Sequence, residues 1–365
     1  MKAISIAIVL GYSIFTGAGT EMVVLNYIKN KPEFVNLTLI QTDLLSYNKN
    51  LDNNDIPHQS NFNMLVVQAK KDGNPLLNMI LTYHKNRHIL EKYNIVYFPI
   101  QFLPLAFKKN KNQVFILGGH GTPLFKGRTK KFKLLLYKII YRKVDSYHQL
   151  YKNEAGEYHY KGNIFTVPNG IDTDIFYPLR RKANQNKFLF VGRLEEDKGT
   201  KILIESWKKA GKYNMASLTI VGNGPLRNYV EDNLKFNIKY MHDISISDLS
   251  NVYRNSDYFV IPTMNDTFSM VTLEALSSGL YVIGSKLLEK IYGDYKDSLN
   301  LEFLNAGVNE FSERIEEIVN KPPTWDRGKQ YEFIKENFSW ERIAEKFYNE
   351  IMNVYNNSNA WTFSH

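Results

Sequence analysis

Cysteine is missing altogether from this chain of 365 residues. Its absence excludes disulfides, thiolate nucleophiles and zinc sites built on sulfur, and it leaves the compartment undecided. Also missing is any run of about 18 consecutive apolar residues, so the sequence predicts no transmembrane helix. There is no repeat of solenoid period and no long low-complexity tract. His84 and His88 stand in HKNRH without the glutamate of a helical zinc protease motif, and they read as an exposed helix face. Acidic residues are the minority charge, 37 Asp and Glu against 46 Lys and Arg, for a formal net charge of +9. That balance favours anionic partners such as nucleotides, acidic membranes or phosphorylated substrates, although solubility alone accounts for it equally well.

What is present describes a globular protein with two cores. Hydrophobic residues make up 44% and charged residues 23%, and the length exceeds what one core usually serves. Strand-like apolar runs at 3–10, 37–40, 64–68, 95–99 and 114–117 alternate with helical stretches, and a second series follows at 188–191, 218–221, 238–241, 258–261 and 281–283. The pattern predicts an α/β chain of two doubly wound, Rossmann-like halves with mostly parallel sheets. The N-terminal MKAISIAIVLGYSIFTGAG has the Lys, apolar run and small residues of a signal peptide. The βα rhythm that continues from it favours a buried strand, a Gly loop and a helix over 21–29. Residues 1–170 are read as the first domain, 171–186 as a linker of Pro, Asn-Gly and basic residues, 187–336 as the second domain, and 337–365 as a C-terminal helix and tail.

In open α/β sheets ligands gather at the carboxyl ends of strands, where small residues and helix N-termini meet. Each informative segment is predicted to lie at such an end. TGAGTE (16–21) brings Gly17 and Gly19 to the end of the first strand, but Met22 stands where a dinucleotide fingerprint has its third glycine. FILGGHG (115–121) places His120 in a Gly-rich loop, a better position for chemistry than an apolar helix face. GRLEEDKG (192–199) carries Gly192, Arg193 and Lys198, two cations suited to a diphosphate, and VGNGPL (221–226) adds Gly222 after the next strand. In NDTFSMVTLE (265–274), Asp266 and Glu274 would be about 12 Å apart if 266–274 were one helix. Hydrolytic carboxylate pairs work at roughly 5 to 9.5 Å, so these two acids suit opposite ends of a long ligand, with its phosphates between them at the helix N-terminus near Met270 and Val271. Asp172-Thr173-Asp174 has the form of a D-x-D metal site, but it follows Pro-Asn-Gly and reads as turn chemistry.

Together these segments resemble the GT-B glycosyltransferases of family 4, retaining enzymes that use sugar nucleotides. The resemblance covers almost the whole chain and is most specific from VPNGID to the helix of Glu274. It implies two Rossmann-like domains facing across a cleft, the first binding the acceptor and the second the donor, with FSWERIAEKF forming a helix that crosses back onto the first. By the same resemblance Arg193 and Lys198 bind the donor diphosphate, Glu274 the ribose, Asp266 the sugar hydroxyls, Asp243 and Ile244 the base, and His120 stands beside the reacting sugar. Gly17 is the glycine whose backbone approaches the phosphate. Asp266 occupies the position of a Glu in the family's E-x7-E signature. The implied reaction transfers a hexose from a UDP- or GDP-sugar to an acceptor hydroxyl with retention, without a metal or other cofactor.

The acceptor class implied is a glycan or a lipid-linked glycan, in the cytoplasm or at the cytoplasmic membrane face. KGRTKKFKLLLYKIIYRK (126–143) interleaves basic and apolar residues. It reads either as an ordinary helix with a solvated basic face or as a surface that lies on anionic membrane. Two other readings stand beside this one: a GT-B enzyme modifying nucleic-acid bases, against which the E-x7-E-like signature argues, and a non-catalytic module that binds nucleotides or anions.

Overall fold

The computed structural model describes residues 4–16, 19–44, 56, 60–120, 130–157, 159–179 and 186–360; side chains are described outside 130–134 and 359–360. Two compact units are present, the first comprising Met1–Gly170 with Trp340–His365 and the second Ile171–Ser339.

In the first unit seven strands form one sheet: β1 (Ile4–Val9), β2 (Val35–Thr42), β3 (Phe62–Val67), β4 (Ile95–Phe98), β5 (Val114–Gly118), β6 (Ser146–Gln149) and β7 (Asn163–Thr166). Their order is β3-β2-β1-β4-β5-β6-β7 and every pairing is parallel. The apolar N-terminal run is β1, hydrogen-bonded between β2 and β4. Ile6 to Val9 are wholly buried, as expected of a parallel strand covered on both faces. Helices α1 (Gly19–Lys29), α2 (Pro75–Lys85), α3 (Lys130–Tyr141) and the short α4 (Glu154–Glu157) accompany the sheet. α1 starts two residues before the predicted helix, within the Gly loop itself.

Strands β6 and β7 were not visible as apolar runs. SYHQ is polar in composition, yet all four residues are buried because each polar group finds a partner. Ser146 donates to the Asn163 carbonyl, Gln149 to Thr166 Oγ1, and His148 Nε2 lies 2.7 Å from the Val167 carbonyl. Satisfying the polar atoms removes the cost of burying them.

In the second unit β8 (Lys187–Val191), β9 (Ser217–Val221), β10 (Ile238–Met241), β11 (Tyr258–Ile261), β12 (Tyr281–Ser285) and β13 (Leu301–Leu304) form a parallel sheet of order β10-β9-β8-β11-β12-β13. Its helices are α5 (Thr200–Ala210), α6 (Arg227–Glu231), α7 (Ile246–Arg254), α8 (Met270–Ser277), α9 (Glu289–Tyr292), α10 (Val308–Asn320) and α11 (Arg327–Phe338). A buried ion pair ties α11 to the sheet, Arg327 Nη2 standing 2.7 Å from Asp257 Oδ1.

The described part of the segment read as a linker is built into this unit. Ile171 N–H donates to the Phe338 carbonyl, and the Phe176 carbonyl accepts from Ser277. Asp172 is a turn cap: its carboxylate accepts from the N–H groups of Asp174 and Ile175, both at 3.1 Å.

The C-terminal stretch is not one helix. α11 ends at Phe338, Ser339 is extended (φ −60°, ψ 148°), and α12 (Trp340–Ala360) starts afresh as part of the first unit. Ile343, Phe347 and Ile351 recur at helical spacing and are buried. Phe347 stacks on Tyr27 with ring centroids 4.0 Å apart, and Tyr348 donates to the Tyr27 carbonyl.

Candidate functional site

The strand order of the second sheet reverses direction between β8 and β11. The loops after these two strands therefore diverge and leave a crevice at their carboxyl ends. Residues 192–199 leave β8 and 262–269 leave β11, and the two loops are stitched together by Asp197. Its carbonyl accepts from the N–H groups of Met264 and Asn265, and its Oδ2 accepts from Asn265 Nδ2 at 3.1 Å. Gly199 makes the close approach possible. Its φ is +77°, and a Cβ there would lie 2.2 Å from the Pro262 carbonyl oxygen, so only glycine fits.

The stitching brings Lys198 to Asp266. Their charged atoms are 3.0 Å apart, and both side chains are largely buried. Lys198 also donates to the Asn265 carbonyl at 2.8 Å. The sequence suggested two cations side by side, Arg193 and Lys198, but the structure pairs them with different acids. Arg193 Nη1 bonds Glu195 Oε1 at 2.7 Å with 64% of its side chain exposed, a surface pair that holds it only weakly.

Helix α8 follows the loop that leaves β11. Its first N–H groups, those of Met270 and Val271, have no acceptor within the helix because they precede its first turn. Asp266 lies four residues before α8 begins, so 266–274 is not one helix. The separation of about 12 Å drawn from helical rise does not apply, since the chain turns at Ser269. Glu274 projects from the second turn and accepts a 2.8 Å hydrogen bond from Tyr253 Oη. Burial lifts its carboxyl to about 7, against the opposing pull of that hydrogen bond. Tyr253, fully buried on α7, is a partner of Glu274 that sequence reasoning missed. In NVYRNSDYFV it reads as an ordinary core aromatic.

Gly192 and Gly222 meet at the neighbouring strand ends, where a Cβ on Gly222 would lie 1.9 Å from the Gly192 carbonyl oxygen. Beyond β10, Asp243 is exposed in the left-handed region (φ 51°), and its carboxylate pairs with His242 Nδ1 at 2.8 Å. Ile244 lines an open groove of about 590 Å³ with Met241, Lys239 and Asp248.

In the first unit, Gly118-Gly119-His120 ends β5. A Cβ on Gly118 would lie 2.3 Å from Tyr97 Oη, and one on Gly119 would lie 2.4 Å from Glu154 Oε1. The two glycines thus let the loop close on buried polar groups. His120 Nε2 is 2.9 Å from Tyr97 Oη, which is 2.8 Å from His148 Nδ1. Burial, reinforced by the neighbouring His148, pushes the His120 imidazolium well below its usual range, and burial brings His148 to about 4. Both rings are therefore neutral at pH 7. Glu154, which accepts from the Leu150 N–H and from Tyr147 Oη, is raised by burial to about 8. Tyr97, His148 and Glu154 were not singled out in the sequence: Tyr97 lies in an apolar strand run, and His148 and Glu154 lie in a stretch with no legible pattern. Gly17 and residues 121–129 lie outside the described residues, as do the side chains of 130–134.

Two sheets of this topology, one in each unit, define the GT-B fold. The solved sucrose-phosphate synthase from Thermosynechococcus elongatus is similar over 97% of this chain and 100% of its own, with a TM-score of 0.74 at 18% identity. The family described as Glycosyl transferases group 1 matches residues 185–321, the part that holds Lys198, Asp266 and Glu274. An uncharacterized glycosyltransferase of Methanocaldococcus jannaschii is 28% identical over 190 residues, 47% of this chain and 45% of its own. The Escherichia coli UDP-Gal:alpha-D-GlcNAc-diphosphoundecaprenol alpha-1,3-galactosyltransferase is 28% identical over 190 residues, 43% of this chain and 48% of its own. The chain spans about half the length of the curated relatives it matches.

Proposed function

We propose that this chain transfers a hexose from a nucleotide diphosphate sugar, a UDP-sugar before a GDP-sugar, to a hydroxyl of a glycan or lipid-linked acceptor, with retention of the anomeric configuration. The observation that carries the reading is the crevice at the β8/β11 switch point. There a cation (Lys198) pairs with a carboxylate (Asp266), and the helix that begins four residues later has open N–H groups at Met270 and Val271 and carries a second carboxylate (Glu274) in its second turn. A diphosphate needs positive charge, and the ammonium together with the N-terminus of α8 supplies it. Ribose and sugar hydroxyls need acceptors, and Glu274 and Asp266 supply those.

The donor displaces part of the Lys198–Asp266 pair, Lys198 turning to the diphosphate and Asp266 to the sugar. Arg193 swings from its surface pair to the same phosphates at small cost. Gly192 and Gly222 give the nucleotide room at the strand ends, and Asp243 and Ile244 flank the base. Positive charge held in place stabilises the departing diphosphate, which is the main electrostatic demand of the step. With that charge coming from side chains and amide dipoles, the reaction needs no metal. The diphosphate itself removes the acceptor proton on the face it leaves, so retention requires no protein nucleophile. His120 is assigned to a sugar hydroxyl by the family resemblance alone.

The E. coli relative is named for a UDP-sugar donor and a diphosphoundecaprenol-linked acceptor, which supports a lipid-linked acceptor here. α3 supports it further, leaving Leu135 and Ile139 exposed at 60% and 42%. They lie one turn apart with exposed Lys138 between them, a surface suited to anionic membrane. No helix of the described residues is long and apolar enough to cross a membrane. Nothing in the crevice favours a nucleic-acid acceptor.

A panel of UDP- and GDP-sugars followed for slow donor hydrolysis tests the reading without knowledge of the acceptor. Lys198→Ala and Glu274→Ala are each expected to reduce that activity at least tenfold. Unchanged activity in both would remove the donor-site assignment. Co-sedimentation with liposomes that ignores anionic lipid content would remove the membrane assignment.

A further inference from the structure

We infer that Tyr97 and His148 are positioning residues: through one chain of hydrogen bonds they hold His120 with its proton on Nε2, so that Nδ1 is a bare acceptor for a sugar hydroxyl. The chain starts at the Val167 carbonyl, which can only accept. His148 Nε2 lies 2.7 Å from it and must carry a proton. His148 is wholly buried and stacked on Phe165 at 5.0 Å, 4° from parallel. A buried imidazole without a counter-charge is neutral and has one proton, so its Nδ1 is a lone pair. The Tyr97 hydroxyl, 2.8 Å away, therefore donates its single proton to His148. Its oxygen is left to accept from His120 Nε2 at 2.9 Å. By elimination the His120 proton is on Nε2. Nδ1 is buried and has no hydrogen-bond partner among the described residues.

The backbone around this chain is fixed as tightly. The Gly119 N–H donates to the His148 carbonyl at 2.9 Å, and Thr20 Oγ1 donates to the His120 carbonyl at 3.3 Å. Gly118 and Gly119 leave no space for a Cβ against Tyr97 and Glu154. The Gly-Gly-His spacing is thus what lets the imidazole reach the tyrosine. A ring held this way cannot turn over without breaking the bond to Tyr97, so its bare nitrogen keeps one direction. Only the identity of the hydroxyl rests on the glycosyl-transfer reading; the tautomer does not.

The test uses the full chain labelled with 15N-histidine, since long-range 15N–1H spectra show which nitrogen of each ring is protonated. His120→Gln and His148→Phe assign the signals. In the wild type at pH 7 both rings are expected as neutral Nε2–H forms. In His148→Phe the Tyr97 proton loses its acceptor and turns to His120 Nε2, so His120 is expected to change to the Nδ1–H form. In Tyr97→Phe both bonds vanish and His120 is expected to show a mixture. Donor hydrolysis in His148→Phe is expected to fall about tenfold in kcat, the size of one neutral hydrogen bond, with KM for the donor nearly unchanged. A wild-type Nδ1–H form of His120, or a tautomer that neither variant alters, overturns the relay. The wild-type spectrum decides this even if a variant fails to fold. A relay seen in the spectra with kcat unchanged in both variants overturns the positioning role. A wild type that hydrolyses no donor removes the sugar reading instead, and the spectra then support or overturn the relay alone.

Discussion

Replacing Tyr253 by Phe takes away one oxygen and, among the described residues, the only hydrogen-bond donor to Glu274 Oε2, 2.8 Å away. Burial holds the Glu274 carboxyl at about 7, and the tyrosine pulls against that rise. A hydrogen bond to a charged group contributes about 1.5 to 3 kcal/mol. At about 1.36 kcal/mol per pKa unit, losing it should raise the carboxyl by about one further unit. The sign follows from which form the donor needs. A ribose diol is best accepted by the carboxylate, so UDP affinity is expected to fall as pH drops through about 7 in the wild type, and to fall about one unit earlier in the variant. Stability moves in a linked way. A carboxyl whose folded pKa is raised favours the folded state below its unfolded value and loses that favour as pH rises through the folded one. Without the tyrosine proton the ionised form is worse off still, so the deficit of Tyr253→Phe should widen from below pH 6 to above pH 8, to about 1.5 kcal/mol. Calorimetric titration with UDP and urea unfolding, each across pH 5.5 to 9, measure both. A binding profile that stays in place or moves to lower pH would refute the assignment of Glu274 as an ionisable ribose ligand held by Tyr253.

Gly199→Ala is expected to cost more than about 3 kcal/mol in urea unfolding, because strain at positive φ adds to a Cβ driven into the Pro262 carbonyl. An effect under 1 kcal/mol would mean the two crevice loops are not locked as described. Glu154→Gln should flatten the pH dependence of stability. Wild-type stability is expected to fall between pH 5 and 9, by as much as about 4 kcal/mol relative to the variant, since burial raises the folded carboxyl to about 8. Parallel profiles would show that the carboxyl is not held protonated. Phe347→Ala removes a wholly buried ring stacked on Tyr27 and is expected to cost about 3 to 5 kcal/mol, read as a lowered Tm. A cost near that of a surface change would mean that α12 contributes little to the first unit.

The repetitive parts of this molecule were legible in its sequence. Parallel strands buried on both faces must be short apolar runs, so β1, β5, β8, β9 and β11 announce themselves within a residue or two, and the rhythm between them dictates a doubly wound sheet. Glycines, a lysine and a glutamate at strand ends marked the second unit's crevice for the same local reason: backbone can approach a ligand only where side chains are small and helix N–H groups are open. Residues paired by tertiary contact were not legible. Lys198 and Asp266 are 68 positions apart and meet only because the strand order reverses between β8 and β11. SYHQ looked too polar for a central strand until its partners on β7 were in place. The break at Ser339 fell inside an unbroken helical spacing, with Phe338 packed in one unit and Trp340 in the other. Periodicity and propensity act over a few residues and are written in order along the chain. Which buried proton goes to which acceptor, as along Val167, His148, Tyr97 and His120, is set by distances that exist only once four separate segments have been brought together.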